Sequence, residues 1–184
     1  MKVLLTFTGW NDPYSRPLVA GAEQRGPILS LLAARKFDRV VLFATHSMAV
    51  STQETADAIS GVEVLVRPLH LPDPTDYLAI LRELRRECAA IRVEDPGAEF
   101  FVSTASGTPQ MHACWFLLTA SGEVPATLLL VREPRHVTRD LPVVSEIIPT
   151  AGDFPRVLPN RLLIARNRFP FRAGVRTRKQ RDGN

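Results

Sequence analysis

Short apolar runs rich in β-forming residues alternate with helix-like segments along most of this chain. Lys2–Phe7 and Arg39–Phe43 are examples, and neither alternates apolar with polar residues. Continuous apolar runs are typical of parallel strands, because such strands are buried on both faces of the sheet. Alternation of strands with helices produces parallel sheets. The sequence therefore predicts an α/β fold: a Rossmann-like, mostly parallel sheet with helices on both faces.

The predicted elements follow the order β-α-β-α-β-α-β-α-β-β. The strands are predicted over Lys2–Phe7, Arg39–Phe43, Val62–Val66, Phe100–Ser103, Ala126–Val131 and Val143–Ile147. The helices are predicted over Gly26–Lys36, Thr52–Ser60, Asp73–Cys88 and Pro109–Ala120. In the third helix Asp73 fits the N-cap and Pro74 the first helical position. The carboxylates of Asp12, Asp73 and Asp76 are interpreted as helix caps rather than metal ligands.

Length and composition suit one soluble domain with a short appendage. The chain has 184 residues, and 45% of them are hydrophobic. No apolar run reaches the ~18 residues of a membrane helix, and no secretory signal is recognisable. The two cysteines, Cys88 and Cys114, are too few for a disulfide scaffold. We expect a cytoplasmic protein with two parts, a domain over residues 1–150 and an extension over residues 151–184.

The net charge of +4 is unevenly distributed. Residues 161–184 hold eight basic side chains and one acid, whereas the first 160 residues carry 15 basic and 18 acidic groups. This basic segment is predicted to be a mobile tail. It suits either an arm that contacts nucleic acid or a solvated end.

The turn after the fourth predicted strand carries the sharpest functional signal. Ligands of open α/β sheets bind at the carboxyl ends of the strands. Thr108 can cap the following helix, so that the N–H groups of Gln110 and Met111 stay free, and Gly107 permits close approach of a ligand. Such a turn is a candidate phosphate cradle at a helix N-terminus. We call the turn the cradle; its residues are Ser103, Thr104, Ala105, Ser106, Gly107, Thr108, Pro109, Gln110 and Met111.

A second polar turn follows the first strand, over Thr8 to Tyr14. Its Trp10 and Tyr14 can stack on a base or pack over the end of the sheet. His112, just after the cradle, can contact a phosphate or act as a general acid, or simply pack against the sheet. Arg132 and Arg135 are candidate cations beyond a later strand.

Several enzyme classes are disfavoured by missing motifs. The chain has neither G-x-G-x-x-G nor G-x-x-x-x-G-K-[ST], which disfavours NAD enzymes and P-loop NTPases. No G-x-S-x-G elbow points to an α/β-hydrolase. The histidines show no metal-ligand spacing, so no metal or other cofactor is expected.

The segment Phe101–Leu118, together with Gly122–Ala126, resembles the CARF (CRISPR-associated Rossmann fold) family. It is most similar to the N-terminal sensor domain of the RNA-repair transcriptional activator RtcR and its relatives. The turns Gly9–Tyr14 and Asp73–Tyr77 fit the same resemblance, which covers about residues 1–150. RtcR-type activators continue into an AAA+ ATPase and a DNA-binding domain, for which this sequence shows no Walker A motif. The basic segment is not part of the family pattern.

The resemblance implies a homodimer whose paired turns form one pocket for linked phosphates and adenine bases. Thr8, Gly9, Trp10, Asn11 and the cradle would line it. The expected function is a sensor of cyclic oligoadenylate or a related oligoribonucleotide, in type III CRISPR or RNA-repair signalling. One alternative is a metal-independent ring nuclease, in which Ser106, Thr108 and His112 would assist attack of a ribose 2′-OH on the adjacent phosphate. Another is the sensor domain of an RtcR-like, sigma-54-dependent regulator. A domain that serves only as a dimerisation scaffold also remains open.

Overall fold

The computed structural model describes residues 1–15, 24–132 and 136–149. Its strands are β1 Lys2–Phe7, β2 Tyr14–Ser15, β3 Gln24–Arg25, β4 Arg39–Ala44, β5 Glu63–Pro68, β6 Glu99–Ser103, β7 Ala126–Val131 and β8 Val144–Ile147. Its helices are α1 Pro27–Ala34, α2 Ala49–Ala58, α3 Tyr77–Glu94 and α4 Pro109–Ala120, with a 3-10 turn over His46–Met48. The predicted order of strands and helices is confirmed.

A six-stranded sheet ordered β5-β4-β1-β6-β7-β8 forms the centre of the fold. The first five strands are parallel, and β8 pairs antiparallel with β7. The carboxyl ends of β1, β4, β5, β6 and β7 therefore share one edge of the sheet. The strand order reverses direction at β1, so the turns after β1 and β6 lie beside each other at a switch point, where ligands of such sheets bind.

Each face of the sheet is covered by its own hydrophobic core. Within β1, Val3, Leu5 and Phe7 belong to the core that also contains buried residues of α3 and α4, and Leu4 belongs to the core shared with α1. This alternation follows from the two-residue period of a strand. Most positions of β1 and β4 are therefore apolar without alternation, as the sequence predicted, because both faces of these strands are buried.

The start of α3 differs from the prediction. Asp76, rather than Asp73, is the N-cap, and its Oδ1 accepts the N–H groups of Leu78 and Ala79. Asp73 instead accepts hydrogen bonds from the N–H and hydroxyl of Thr75 in the preceding turn. Asp73 and Asp76 can both cap a helix here, and Asp76 is the cap because it directly precedes the first turn of α3. Pro74 consequently lies outside α3, which continues past Cys88 to Glu94.

Two other features differ from the sequence-based expectation. The helix α2 begins at Ala49, three residues before the prediction, because the 3-10 turn at His46–Met48 leads directly into it. A short hairpin of β2 and β3 pairs Tyr14 with Arg25 and was not predicted. Two-residue strands have no apolar periodicity by which a sequence can reveal them.

No helix within the three described ranges is long and apolar enough to cross a membrane. The extension over residues 151–184, with its basic segment, and the candidate cation Arg135 lie outside the described residues. The division of the chain at residue 150 therefore remains a prediction.

Candidate functional site

Three chain segments meet around the carboxylate of Asp12, a side chain only 5% exposed. Its Oδ2 accepts the N–H of Gly9 at 3.0 Å and the hydroxyl of Ser106 at 2.5 Å. Its Oδ1 accepts the N–H of Ile28, in the first turn of α1, at 3.1 Å. The carboxylate thus joins the β1 turn, the cradle and the N-terminus of α1. Asp12 caps a helix as predicted, but the helix is α1 and the cap comes from a distant loop.

The pKa of Asp12 is raised above its usual value by burial, and the hydrogen bonds from Ser106, Ile28 and Gly9 oppose that rise. Burial disfavours the charged carboxylate, whereas donated hydrogen bonds favour it. This carboxylate therefore holds the loops together at a desolvation cost.

The side chain of Ser106 has no contact available for a phosphate in this arrangement. It is buried, and its hydroxyl proton is donated to Asp12. The Ser106 carbonyl is also used, because it lies 3.0 Å from Nε2 of His112. A carbonyl oxygen only accepts, so Nε2 of His112 carries a proton and the ring holds the cradle from the α4 side.

The hydroxyl of Thr108 likewise has two partners. Its oxygen accepts the N–H of Met111 at 3.2 Å, which makes Thr108 the N-cap of α4 as predicted. It donates to the carbonyl of Pro74 at 3.0 Å and so ties the β5–α3 loop to the cradle. The N–H of Met111 is therefore not free, contrary to the expectation from sequence. A capping hydroxyl satisfies one of the first N–H groups of its helix.

The cradle keeps a smaller set of unpaired groups than its composition indicates. Ser103 is buried, and its hydroxyl accepts the N–H of Ala105. The half-buried Thr104 has a hydroxyl with no hydrogen-bond partner among the described residues. The backbone N–H groups of Ser106, Gly107 and Gln110 also have no hydrogen-bond partner among the residues that the structure describes. These groups, at the N-terminus of a helix of 12 residues, are donors suited to an anion.

Backbone packing, rather than a ligand, explains the two glycines of the turns. A Cβ on Gly9 would lie 3.3 Å from the amide nitrogen of Gly107, so the two turns are in contact. Gly107 has φ +106°, and a Cβ there would lie 3.1 Å from both the Met111 sulfur and the Cβ of Phe7. Gly107 is required by the positive φ and by the closeness of Phe7.

The predicted residues of the β1 turn separate into buried and exposed groups. Thr8 is buried, and its hydroxyl lies 2.5 Å from that of Thr52, which itself donates to the Met48 carbonyl. Thr8 is therefore the donor of this pair, and it fastens β1 to α2. Asn11 is exposed, and Trp10 is 86% exposed. The sequence suggested that Trp10 either stacks on a base or packs over the end of the sheet, and its exposure shows that the second interpretation is wrong.

The contacts of three partner residues at this site were not predicted from the sequence. Ser51 donates to the Asp12 carbonyl at 2.8 Å, Thr52 pairs with Thr8, and the Pro74 carbonyl accepts from Thr108. The serine and the threonine occupy helical positions with no motif, and the proline contributes only backbone. Nothing in their local sequence distinguishes them.

Charged groups around the cradle are few. The segment from Ser103 to His112 contains no lysine or arginine. Arg132 donates to the Pro142 carbonyl at 2.8 Å and to the Ser145 hydroxyl, so it holds the β7–β8 connection. Within the described ranges no group of three or more His, Cys, Asp or Glu side chains is placed to hold a metal ion.

Comparison with known proteins gives one family match. The RtcR family, described as the regulator of RNA terminal phosphate cyclase, matches residues 24–150, more than half of the chain. No curated protein matches the sequence.

Two proteins illustrate the solved structures that are similar to this chain. Csm6 from Enterococcus italicus, bound to cyclic hexa-2′-fluoro-hexa-dAMP, has a TM-score of 0.61 and 22% identity, over 76% of this chain and 35% of its own. Can2 from Sulfobacillus thermosulfidooxidans, in complex with cyclic tetra-adenylate, has a TM-score of 0.47 and 14% identity, over 72% of this chain and 32% of its own. The chain thus spans about a third of the length of either protein.

The likeness to Csm6 confirms the Rossmann-like fold of the CARF resemblance. The family match confirms that this resemblance lies on the RtcR branch. The chain belongs to the RtcR family, and its described residues have a Rossmann-like fold similar to that of Csm6.

Proposed function

We propose that this domain is the sensor domain of an RtcR-type regulator and binds an oligoribonucleotide at the cradle. The ligand class is a cyclic oligoadenylate or a related RNA with linked phosphates, and the signal is RNA repair or type III CRISPR defence. The observation that carries the proposal is the set of unpartnered N–H groups of Ser106, Gly107 and Gln110 at the start of α4. Their partial positive charge at a helix N-terminus favours a phosphate.

The local electrostatics support this placement. Asp12, the carboxylate that contacts the cradle through Ser106, is buried beneath it and satisfied by three donors. The Thr104 hydroxyl adds a donor that can rotate toward a phosphate oxygen. Csm6, which shares the fold, is solved with a cyclic oligonucleotide, and the family is described as a regulator linked to RNA terminal phosphate chemistry.

We further propose that the domain is a homodimer, with two cradles facing one ligand. The helix α4, which starts at the cradle, contains no charged residue. Its Leu117 is 45% exposed and Phe116 is half-buried. An uncharged surface helix next to the site is suited to a two-fold contact, and a two-fold pocket suits a ligand with rotational symmetry.

The test is a binding and product assay on the purified chain. Cyclic tri-, tetra- and hexa-adenylate and linear RNA ending in a 2′,3′-cyclic phosphate are each incubated with the protein in EDTA. Calorimetry measures binding, and mass spectrometry identifies products. We expect one of these ligands to bind without turnover. Cleavage of a ring to linear products would instead establish the ring nuclease.

Two variants locate the ligand. Thr104→Ala removes the unpartnered hydroxyl, and we expect about tenfold weaker binding, the equivalent of one charge-assisted hydrogen bond. Ser60→Ala, an exposed hydroxyl beyond α2, is the control and should bind as the unmodified chain does. Equal affinity of the two variants, or no binding of any of these ligands, would refute the assignment of the cradle.

A further inference from the structure

A second concave site lies on the other side of the β1 turn from the cradle. It is an open cleft of about 740 Å³ between the β1 turn and α2. Ligand sites are commonly about 300–1,000 Å³. We call it the α2 cleft; Trp10 and Tyr14 line it from the turn, and Val50, Glu54 and Asp57 line it from the helix.

The described residues that line the α2 cleft carry only negative charge. Glu54 and Asp57 lie three residues apart on α2 and are both exposed. Neither forms an ion pair within the described residues, and Asp57 accepts one hydrogen bond, from Gln53. Among the described residues that line the cleft there is no lysine, arginine or histidine. The cleft is therefore suited to a cation.

The exposed aromatic and apolar side chains of the lining indicate which kind of cation the α2 cleft would bind. Trp10 is 86% exposed, Val50 is 74% exposed and Tyr14 is 40% exposed. A guanidinium stacks on an indole or phenol face while its N–H groups pair with carboxylates, and its aliphatic stem covers apolar surface. A lysine ammonium is more strongly hydrated and lacks the planar group for stacking. Aromatic and acidic groups together favour arginine.

We infer that the basic segment, residues 161–184 of the same chain, docks in the α2 cleft through its arginines. Seven of its eight basic side chains are arginine, and it carries a net charge of +7. The described domain carries the opposite net sign. This charge complementarity identifies the basic segment as the occupant of the α2 cleft.

The connection is long enough for such docking. The described chain ends at Pro149, near the edge of the sheet opposite the cleft, because β8 runs antiparallel to β7. The eleven residues 150–160 can span roughly 36–40 Å when extended. A domain of this size has a diameter of about 40 Å, from its expected radius of gyration. The path over the surface between opposite sides of such a domain is about 60 Å. The 19 residues from 150 to Arg168 span at most roughly 63–68 Å when extended, so the arginines from Arg168 onward can reach the cleft.

Docking would supply charge that the cradle does not have. The segment from Ser103 to His112 has no lysine or arginine, and the α2 cleft and the cradle share the β1 turn through the Gly9–Gly107 contact. Arginines seated in the cleft would put positive charge beside the cradle. They would also neutralise Glu54 and Asp57, which otherwise repel an anion there.

Tryptophan fluorescence tests this inference without any nucleotide, so its outcome is independent of the proposed function. The chain has two tryptophans, and Trp115 is fully buried. Acrylamide quenching of the full chain therefore reports the accessibility of Trp10. We expect the quenching constant to rise about threefold in the triple variant Arg166→Glu/Arg168→Glu/Arg172→Glu, in line with loss of exposed cation–π and ion-pair contacts. The double variant Glu54→Gln/Asp57→Asn should show the same rise.

The matched control is Glu99→Gln/Asp140→Asn, which removes two exposed carboxylates that lie outside the α2 cleft. It should quench as the unmodified chain does, and about 1 M salt should abolish the protection by screening. Equal quenching of all four proteins would overturn the inference. Protection that increases with protein concentration would also overturn it, because the occupant would then come from a second copy.

Discussion

The hydroxyl of Ser106 donates to Oδ2 of Asp12 at 2.5 Å, across 94 residues of sequence. This contact fixes the cradle to the β1 turn. It also occupies the Ser106 hydroxyl, which the sequence predicted would contact a phosphate. The residues most readily assigned to phosphate binding or to cleavage therefore build the site. In the proposed function, the contact to a ligand is left to the backbone N–H groups of Ser106, Gly107 and Gln110 and to the Thr104 hydroxyl.

The pH dependence of stability should report the buried Asp12. Its pKa is raised in the folded protein, mainly by burial, above the value of about 3.9 in an unfolded chain. Between these two values the folded state holds a proton that the unfolded state has lost. The contribution of Asp12 to stability is therefore fully present below the unfolded pKa and is lost as pH rises through the folded pKa.

Asp12→Asn isolates this effect, because the amide does not titrate. We expect the free energy of unfolding of the unmodified chain, relative to Asp12→Asn, to fall as pH rises above the unfolded pKa of about 4. Urea denaturation at several pH values measures this difference. A difference that grows with pH would indicate a lowered pKa and contradict the burial argument.

Ser106→Ala should destabilise the domain. It removes one of three donors to a buried carboxylate, for a loss of about 1–3 kcal/mol. It should also raise the pKa of Asp12 further, since the Ser106 hydrogen bond lowers it. Thermal or urea denaturation measures the loss. Thr104→Ala is the comparison, and without a partner to lose it should change stability by less than about 0.5 kcal/mol. Equal losses in both variants would argue against the Ser106–Asp12 contact.

Gly26→Ala should be strongly destabilising. An added Cβ would lie 2.0 Å from the Asn11 carbonyl oxygen and 2.8 Å from that of Pro13, and neither backbone oxygen can rotate away. We expect a loss of about 3 kcal/mol or more. Gly61→Ala is the control: its φ is +75° but nothing lies within 4 Å, so the cost should be only about 1–2 kcal/mol of backbone strain. Denaturation experiments compare the two variants. If Gly26→Ala and Gly61→Ala lost similar stability, the close approach of Gly26 to the Asn11 and Pro13 carbonyl oxygens would be refuted.

Both cysteines should be unreactive in the folded protein. Burial raises the pKa of Cys88 to about 12 and that of Cys114 to about 11. Only the thiolate reacts with disulfide reagents. A chromogenic disulfide at about pH 8 should therefore label neither thiol until the protein is unfolded, when both should react. Rapid labelling of one native thiol would contradict this environment.

Leu117→Glu should disrupt the proposed dimer. A carboxylate on the exposed, uncharged side of α4 would have to be desolvated in a two-fold contact. Sedimentation should show a dimer for the unmodified chain and a monomer for the variant. Val93→Glu, at a position 80% exposed near the end of α3, is the control and should remain dimeric. A monomer in every case would refute the dimer.

The α/β order, five of the strands to within a residue at each end, and the whole of α4 were predictable from sequence. These elements depend on local signals: apolar runs, a capping Thr108 and a Pro109 that fits the first helical turn. The start of α3 was not predictable in the same way. Asp73 and Asp76 are both good caps, and only the packed helix decides between them.

The sequence by itself determined that the turns after β1 and β6 share one edge of the sheet, and that the second turn leads into a capped helix. Local chemistry is enough for that, because the alternation of strands with helices and the capping of a helix depend on patterns a few residues long, and the carboxyl ends of parallel strands share one edge. Only the tertiary structure decided which polar groups remain free. Ser106, Thr108 and Thr8 are bound to Asp12, Pro74 and Thr52, which are distant in sequence. A hydroxyl bonds to whichever buried partner packing brings near, and no local pattern specifies that partner.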